Sequence, residues 1–441
     1  MMAKTKHSQN QDLQDEKMNR ITENKSSKSA NAENSASDKW EIPSDWRQVK
    51  IKDVADIKGG FAFDSSKFKE QGKYQVIKMS NLYENLLDLN RSQSFLDDLT
   101  EQEKEYLLNE GDILITLTGT VGKQDYGYSY QIKGEKNLLL NQRVAKITAT
   151  DINSKYLFYE IKTKRFLNQF FYSSRGGTGN QTNAGTNDLA SVKIFYPPLP
   201  EQIAIAQLLS TWDNAITKTQ ALIAQKEQRK KWLMQNLLTG KMRLKGFEGE
   251  WKETSVGEIG IIQTGNTPSK LEVENWGGTN NWCTADDMKS KYVFQTIQKL
   301  SDKGWATARI ARANSVLVTC IASIGVNAIT KVDSGFNQQI NSITPSEKFD
   351  VEFVYYMIVF SKNKLMEYAG AGALPMLNKN TFMSIKLNIP TLPEQTSIAQ
   401  VLQTADKEIQ LLKAKCNKLK EQKKGLMQVL LTGKVRLKTN E

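Results

Sequence analysis

Several short stretches of this chain bring cations, amides and glycines together. Lys162, Lys164 and Arg165 lead into Phe170-Phe171-Tyr172, and then into Ser173-Ser174-Arg175-Gly176-Gly177-Thr178-Gly179-Asn180-Gln181. Glycines let backbone N–H groups approach a phosphate, arginine can pair with the edge of guanine, and Asn or Gln with the edge of adenine. Lys78-Met79-Ser80-Asn81 and Asn141-Gln142-Arg143 offer the same residue types. The candidates for such contacts in the first half of the chain are Lys78, Ser80, Asn81, Asn141, Gln142, Arg143, Lys164, Arg165, Arg175, Thr178, Asn180 and Gln181. In the second half they are Thr284, Asp286, Asn337, Gln338, Gln339, Asn378, Lys379 and Asn380. The loop there, Tyr368-Ala369-Gly370-Ala371-Gly372-Ala373-Leu374, is poorer in polar groups. Ordinary solvated loops share this composition, so the set gains meaning only from the elements that hold it.

Catalytic chemistry is poorly supplied. His7 is the only histidine, which removes the usual near-neutral proton acceptor. Cys283, Cys320 and Cys416 lie too far apart to build a zinc spacing and read as buried thiols in a reducing compartment. The only Pro-Pro is Tyr196-Pro197-Pro198-Leu199, which is not the Asn/Asp-Pro-Pro-aromatic motif of an amino-group DNA methyltransferase. Gly240-Lys241 and Gly433-Lys434 lack the upstream glycine of an ATP-binding loop. The expectation is a chain with no catalytic residue, no metal ligand and no cofactor of its own.

The formal charge is +12 in 441 residues, and it is localised. Residues 226–245 hold seven Lys or Arg against Glu227, and residues 413–438 hold nine against Glu421, so the remainder is close to neutral. A positive stripe serves phosphates or an acidic protein surface, while cations near a helix C-terminus also complement the helix dipole. No apolar run approaches the roughly 18 to 20 residues of a membrane helix, and the N-terminus lacks an apolar signal core, so a cytoplasmic protein without a membrane partner is expected.

The two basic stretches are copies. Pro200-Glu201-Gln202 through Leu244-Lys245 returns as Pro393-Glu394-Gln395 through Leu437-Lys438 at a constant offset of 193 residues. Prolines before each segment and Gly240 or Gly433 after it mark helix starts and stops. Within the second copy Ile398, Leu402, Ile409, Leu412, Leu419, Leu426 and Leu430 recur at spacings of the coiled-coil kind. In the first copy Ile205, Leu209, Trp212, Ile216, Ile223, Leu233 and Leu237 do the same. Either seam alone would expose Leu and Ile to water, so the two are expected to pack on each other over roughly 50 Å, and the long intervening domain suits an antiparallel pair although the seams do not fix the orientation. Packing of each seam on its own neighbouring domain is the alternative.

The preceding segments correspond more loosely. Asp112-Ile113-Leu114-Ile115-Thr116 matches Ser315-Val316-Leu317-Val318-Thr319, and Asn141-Gln142-Arg143-Val144 matches Asn337-Gln338-Gln339-Ile340. Apolar strand-like runs persist while the polar loops diverge, which reads as two mixed α/β (α+β) domains with one frame and different loops. The expected organisation is a disordered polar tail over 1–39, a first domain over 40–199, a helical region over 200–245, a second domain over 246–392 and a C-terminal helical region over 393–441.

With these residues in hand, the chain resembles the specificity subunit of type I restriction–modification systems from Trp40 onward. The resemblance rests on Leu199-Pro200-Glu201-Gln202 with Leu392-Pro393-Glu394-Gln395, on Leu-Leu-Thr-Gly-Lys at both helix ends, on Ile42-Pro43-Ser44-Asp45-Trp46, and on Thr264-Gly265-Asn266-Thr267-Pro268-Ser269 followed by Trp276-Gly277-Gly278. It implies two target recognition domains separated by two long helices in an antiparallel coiled coil. It further implies double-stranded DNA as ligand, docking of two DNA methyltransferase subunits, and two restriction/translocase subunits in the full complex. S-adenosylmethionine, ATP and Mg belong to those partners, which carry out adenine-N6 methylation and ATP-dependent cleavage. A helical spacer between unlike readers then predicts a bipartite, asymmetric site, with readers about one helical turn (~34 Å) apart on the duplex. Trp212 and Trp232 are candidate partner anchors, but Trp212 lies on the seam and reads first as core, and Trp232 has only Gly425 as its counterpart in the second copy. A stand-alone DNA-binding regulator or restriction antagonist on the same scaffold is the alternative, and a structural coiled-coil adaptor comes third.

Overall fold

The computed structural model describes residues 42–120, 123–173, 181–370 and 375–438. The tail over 1–39, Arg175, Thr178 and Asn180 fall outside them. By contacts between residues the chain divides into two units, Met1–Ala215 with Leu419–Glu441, and Ile216–Lys418.

In the first unit, Ala55–Gly59, Val144–Ala149, Ile113–Thr116 and Ser129–Gln131 form an antiparallel sheet in that order. A second sheet has Tyr74–Ile77 at its centre, parallel to Leu138–Leu140 and antiparallel to Phe95–Leu96. Successive side chains of a strand face opposite ways, and Ile113-Leu114-Ile115 uses both faces. Ile113 and Ile115 pack among Tyr156, Leu157 and Phe166 on helices Ser154–Glu160 and Lys164–Ser173, while Leu114 packs with Ile77 and Leu140. Burial on both faces explains why this strand reads as an unbroken apolar run.

The second unit repeats the plan. Gly260–Thr264, Ile340–Pro345, Ser315–Thr319, Asn327–Thr330 and Tyr292–Val293 make its larger sheet. Val316 and Val318 face Phe353 and Tyr356 of helix Val351–Phe360, and Leu317 faces Cys283 and Phe336. Asn153 and Asp350 cap the equivalent helices, accepting from the Tyr156 and Phe353 N–H groups at 3.0 and 2.9 Å. The mixed α/β class expected from the sequence is what the chain adopts.

Two 39-residue helices, Leu199–Leu237 and Leu392–Leu430, complete the units. Gly240 and Gly433 follow them with φ of 70° and 71°, the left-handed conformation that ends a helix most easily in glycine. Each unit holds the start of one helix against the end of the other. In the first, Ile205 and Leu209 are buried with Leu430 and Leu431, and in the second, Leu237 and Leu238 are buried with Ile398 and Leu402. Such pairing is antiparallel. It also differs from the expected linear division, because the apolar surface of each domain is closed by pieces of both helices rather than by one helix adjacent in sequence.

The seam is less apolar than its spacing suggested. Ile216 and Ile409 are buried, but Trp212, Ile223, Leu233, Leu412, Leu419 and Leu426 are only partly covered. In the second unit Lys226 pairs with Glu408 (2.5 Å), Lys230 with Asp406 (2.5 Å) and Lys413 with Glu227 (2.6 Å), and in the first Lys423 pairs with Asp213 (2.6 Å). These lysines, expected as a surface for phosphates or acidic proteins, are in part committed to holding the helices together. Charge matched across a helix pair fixes its orientation and register.

Candidate nucleic-acid interface

Both domains contain the same crossing of backbones. In the first, the Gly60 N–H donates to the Val144 carbonyl at 3.0 Å, and a Cβ on Gly60 would lie 1.9 Å from the Asn141 carbonyl oxygen. In the second, the Gly265 N–H donates to the Ile340 carbonyl at 3.0 Å, and a Cβ there would lie 2.2 Å from the Phe336 carbonyl oxygen. Only glycine permits that approach. The crossing fixes a turn in each domain, Asn141-Gln142-Arg143 and Asn337-Gln338-Gln339.

Each turn is tied to its neighbours through backbone hydrogen bonds. The Asn141 N–H donates to the Ile77 carbonyl (3.3 Å), the Gln142 N–H to the Phe61 carbonyl (2.9 Å), and the Arg143 carbonyl accepts from the Leu117 N–H (2.9 Å). Correspondingly, the Asn337 N–H donates to the Cys283 carbonyl (3.1 Å) and the Gln339 carbonyl accepts from the Cys320 N–H (2.7 Å). Strand Gln181–Asn183 joins the first cluster by pairing with Thr118–Thr120, where the Thr118 hydroxyl donates to Asn183 Oδ1 at 2.9 Å. In the second, Met376 bridges to Ile321 and the Leu377 N–H donates to the Cys320 carbonyl at 2.8 Å. The structure thus gathers sequence-distant segments around one point in each domain: 78–81, 117–120, 141–143 and 181–183, and then 284–287, 320–322, 337–339 and 375–377.

Within these clusters the candidate side chains divide by what they already hold. Gln142, Arg143, Gln338 and Gln339 are exposed, as are Asp286, Lys379 and Asn380, and Ser80 is half-buried. Arg143 and Gln142 have no side-chain partner among the described residues. Gln338 accepts from the Thr267 hydroxyl at 2.6 Å, and Gln339 meets the Asn337 amide at 3.3 Å. Lys78 is half-buried, with its ammonium on the Ser94 hydroxyl at 2.6 Å and over the Phe68 ring. Lys164 is exposed and opens helix Lys164–Ser173.

Other candidates already have partners within the chain. Asn81 is wholly buried, with Oδ1 accepting from the Lys78 N–H and Nδ2 donating to the Asp88 and Arg91 carbonyls, so it shapes the turn rather than facing a ligand. Arg165, partly exposed, pairs with the buried Glu160 and lies over the Phe195 ring. Burial pushes the Glu160 carboxyl above the ordinary carboxylate range, against the Arg165 charge and the Phe195 N–H, which lower it. Thr284 caps a short turn, its hydroxyl donating to Asp287 at 2.9 Å, and Asn378 caps helix Lys379–Ser384 by accepting from the Thr381 N–H at 2.9 Å. Asn141 is half-buried in its turn, Asn337 is buried, and Gln181 contributes a paired backbone.

Sequence reasoning missed Arg309. It is exposed, and its guanidinium donates to the Thr264 carbonyl at 2.8 Å while its N–H donates to Asn266 Oδ1 at 2.6 Å, beside Gly265. It also missed the use made of the duplicated Pro-Glu-Gln and Gly-Lys-x-Arg motifs. Glu201 accepts from Arg436 (2.7 Å) and from the Trp46 indole (2.9 Å), and Arg436 also reaches Asp45 (2.6 Å). Glu394 accepts from Arg243 at 2.6 and 2.7 Å. Gln202 and Gln395 accept from the N–H groups of Asn153 and Asp350 at 2.8 and 2.9 Å, so each glutamine ties a long helix to a domain's own helix cap. The repeat of both motifs at one offset was the available signal. Of the two candidate anchors, Trp212 is partly covered and Trp232 is half-exposed on its helix.

No three His, Cys, Asp or Glu side chains among the described residues are placed to hold a metal ion, and none of the described helices is long and apolar enough to cross a membrane. The fold and the paired turns define a duplicated α/β scaffold presenting two non-identical polar surfaces. A model of the type I restriction modification DNA specificity domain matches residues 43–227 and again residues 248–421, and the chain belongs to that family. It is 26% identical to the putative type I restriction enzyme MjaX specificity subunit of Methanocaldococcus jannaschii, over 90% of this chain and 96% of that one. It is 28% identical to the MjaVIII specificity subunit of the same organism, over 90% and 94%. The solved S subunit from M. genitalium superposes with a TM-score of 0.56 at 15% identity, covering 88% of this chain and 96% of that one, which is likeness of fold. The chain is a non-catalytic specificity subunit, a family that carries no catalytic cofactor.

Proposed function

We propose that each recognition domain reads one half of a bipartite, asymmetric site in double-stranded DNA through the loops gathered at its glycine crossing. The family assigns the chain to DNA recognition and to assembly with modification and restriction subunits. The observation that carries the finer reading is the pair of crossings: the backbone tethers of Asn141–Arg143 recur at Asn337–Gln339, yet the exposed side chains differ. A shared frame with unlike contact groups gives unlike half-sites, because base edges are distinguished by side-chain hydrogen bonds while phosphates are not.

The long helix with its flanking motifs also occurs twice, which supports two methyltransferase subunits per chain, with two restriction/translocase subunits in the full complex. S-adenosylmethionine, ATP and Mg are supplied and used by those partners, in the cytoplasm. The unspecified gap between half-sites follows the length of the helix pair, so deletion of matched heptads from both helices shortens it. The test is to combine this chain with its methyltransferase subunit and S-adenosylmethionine on unmodified DNA. Adenine methylation at one split motif is expected, and unmodified or randomly modified DNA from an active mixture rejects the reading.

A further inference from the structure

Arg143 differs from every other group at the two crossings. It is one of seven described non-glycine residues with a positive φ, here 69°, and it carries the longest side chain among them. That conformation is unfavourable for an L-residue, and such outliers cluster at functional sites. The residue is third in a tight turn closed by the Val144 N–H on the Asn141 carbonyl (3.3 Å), a position that accepts a positive φ but is usually filled by glycine or asparagine, and its side chain is exposed with no partner among the described residues. The surrounding backbone is nonetheless held firmly. The Arg143 carbonyl accepts from the Leu117 N–H at 2.9 Å, and the preceding residues donate to the Phe61 and Ile77 carbonyls at 2.9 and 3.3 Å. Its counterpart Gln339 lies outside the positive-φ set and is drawn onto Asn337. An unpaired guanidinium on a rigid, strained base is a recognition group whose orientation is settled before its ligand arrives.

Resting on the reading that these loops face DNA, we propose that Arg143 is a specificity-determining residue of the first half-site and recognises a guanine, donating from its two terminal nitrogens to O6 and N7 in the major groove. The planar fork of arginine matches those two acceptors, and a bidentate pair of this kind discriminates by about tenfold to a hundredfold. A phosphate contact by the same side chain would bind every sequence alike.

The experiment uses the full chain assembled with its methyltransferase subunit, comparing wild type with R143Q and R143G. The methylated motif is read genome-wide, and binding is measured on duplexes carrying each base at every specified position, at two salt concentrations. Wild type should show a split motif with a guanine in the first half-site, and both variants should lose discrimination at that one base pair by about tenfold to a hundredfold while the second half-site is unchanged. R143G relieves the positive φ and should melt no lower than wild type, which separates lost recognition from lost folding. A split wild-type motif that both variants retain overturns the proposal while leaving the two-reader account intact. A uniform loss of affinity with a shallower salt dependence also overturns it, by assigning Arg143 to phosphate. A wild-type complex with no split motif counts against the two-reader account itself.

Discussion

The two recognition domains share a backbone solution and differ in how they fill it. Gly60 and Gly265 let strands cross at matching places, and the turns they support are tethered through equivalent carbonyls. At the end of helix Ser154–Glu160 the first domain buries Glu160, paired with the partly exposed Arg165, where the second, at the matching helical position, has buried Met357. In the first, Glu201 receives both Arg436 and the Trp46 indole. In the second, Glu394 receives Arg243, and the matching Trp251 indole nitrogen is buried without a partner among the described residues. Duplication has therefore preserved the crossings and the helix ties while leaving buried charge and exposed loop chemistry free to diverge. Contacts that set the fold are the ones that recur.

The largest stability effect is expected at Glu160 and Arg165. R165M leaves a carboxylate uncompensated in the interior and should cost about 3–5 kcal/mol, whereas E160M/R165M, which imitates the second domain at Met357, should fall near wild type. Equal losses in the single and double variants, measured by chemical denaturation, would break the comparison. The pH dependence has a definite sign. Because burial raises the Glu160 pKa in the folded state, its contribution is fully present below the ordinary value of 4.5 and is lost as pH rises through the folded value. R165M removes an opposing influence, so its melting temperature should fall more steeply with rising pH than that of wild type.

A smaller contrast is expected at the helix ties. R243A strips Glu394 of its arginine, while R436A leaves Glu201 with the Trp46 indole, so R243A should lower the melting temperature further. The reverse order would show that the Asp45–Arg436 contact dominates. The smallest effect concerns thiols. Burial pushes Cys320 up to about 12, against the Asn341 amide, so alkylation at pH 8 should be slow in the native chain and become rapid on denaturation. Fast labelling of Cys320 in the native chain would contradict its burial at the end of strand Ser315–Thr319.

Much of the architecture was legible. The 193-residue repeat gave both long helices, Gly240 and Gly433 gave their ends, and the Leu and Ile seams gave the pairing, while its antiparallel sense came from the family resemblance. The run Ile113–Leu117 announced a strand, and the structure shows it buried on both faces. What the sequence concealed was long-range: that Arg436 closes on Glu201 and Arg243 on Glu394, so that each unit takes its last pieces from distant parts of the chain. Orientation was concealed too. Asn81 and Arg143 look alike as candidate contacts, but one is turned inward onto carbonyls and the other outward, and local composition carries no signal for that choice. Of the candidate site, the turns were found and the individual side chains were only partly sorted.

The division of labour between the domains is tested most directly by exchanging residues 46–196 for the corresponding segment of a relative with a different target, and sequencing the methylated sites made by the reconstituted complex. One half of the split motif should be replaced, with the other half and the gap retained. A motif altered in both halves, or one that keeps its original first half, would contradict the assignment of one half-site to each domain.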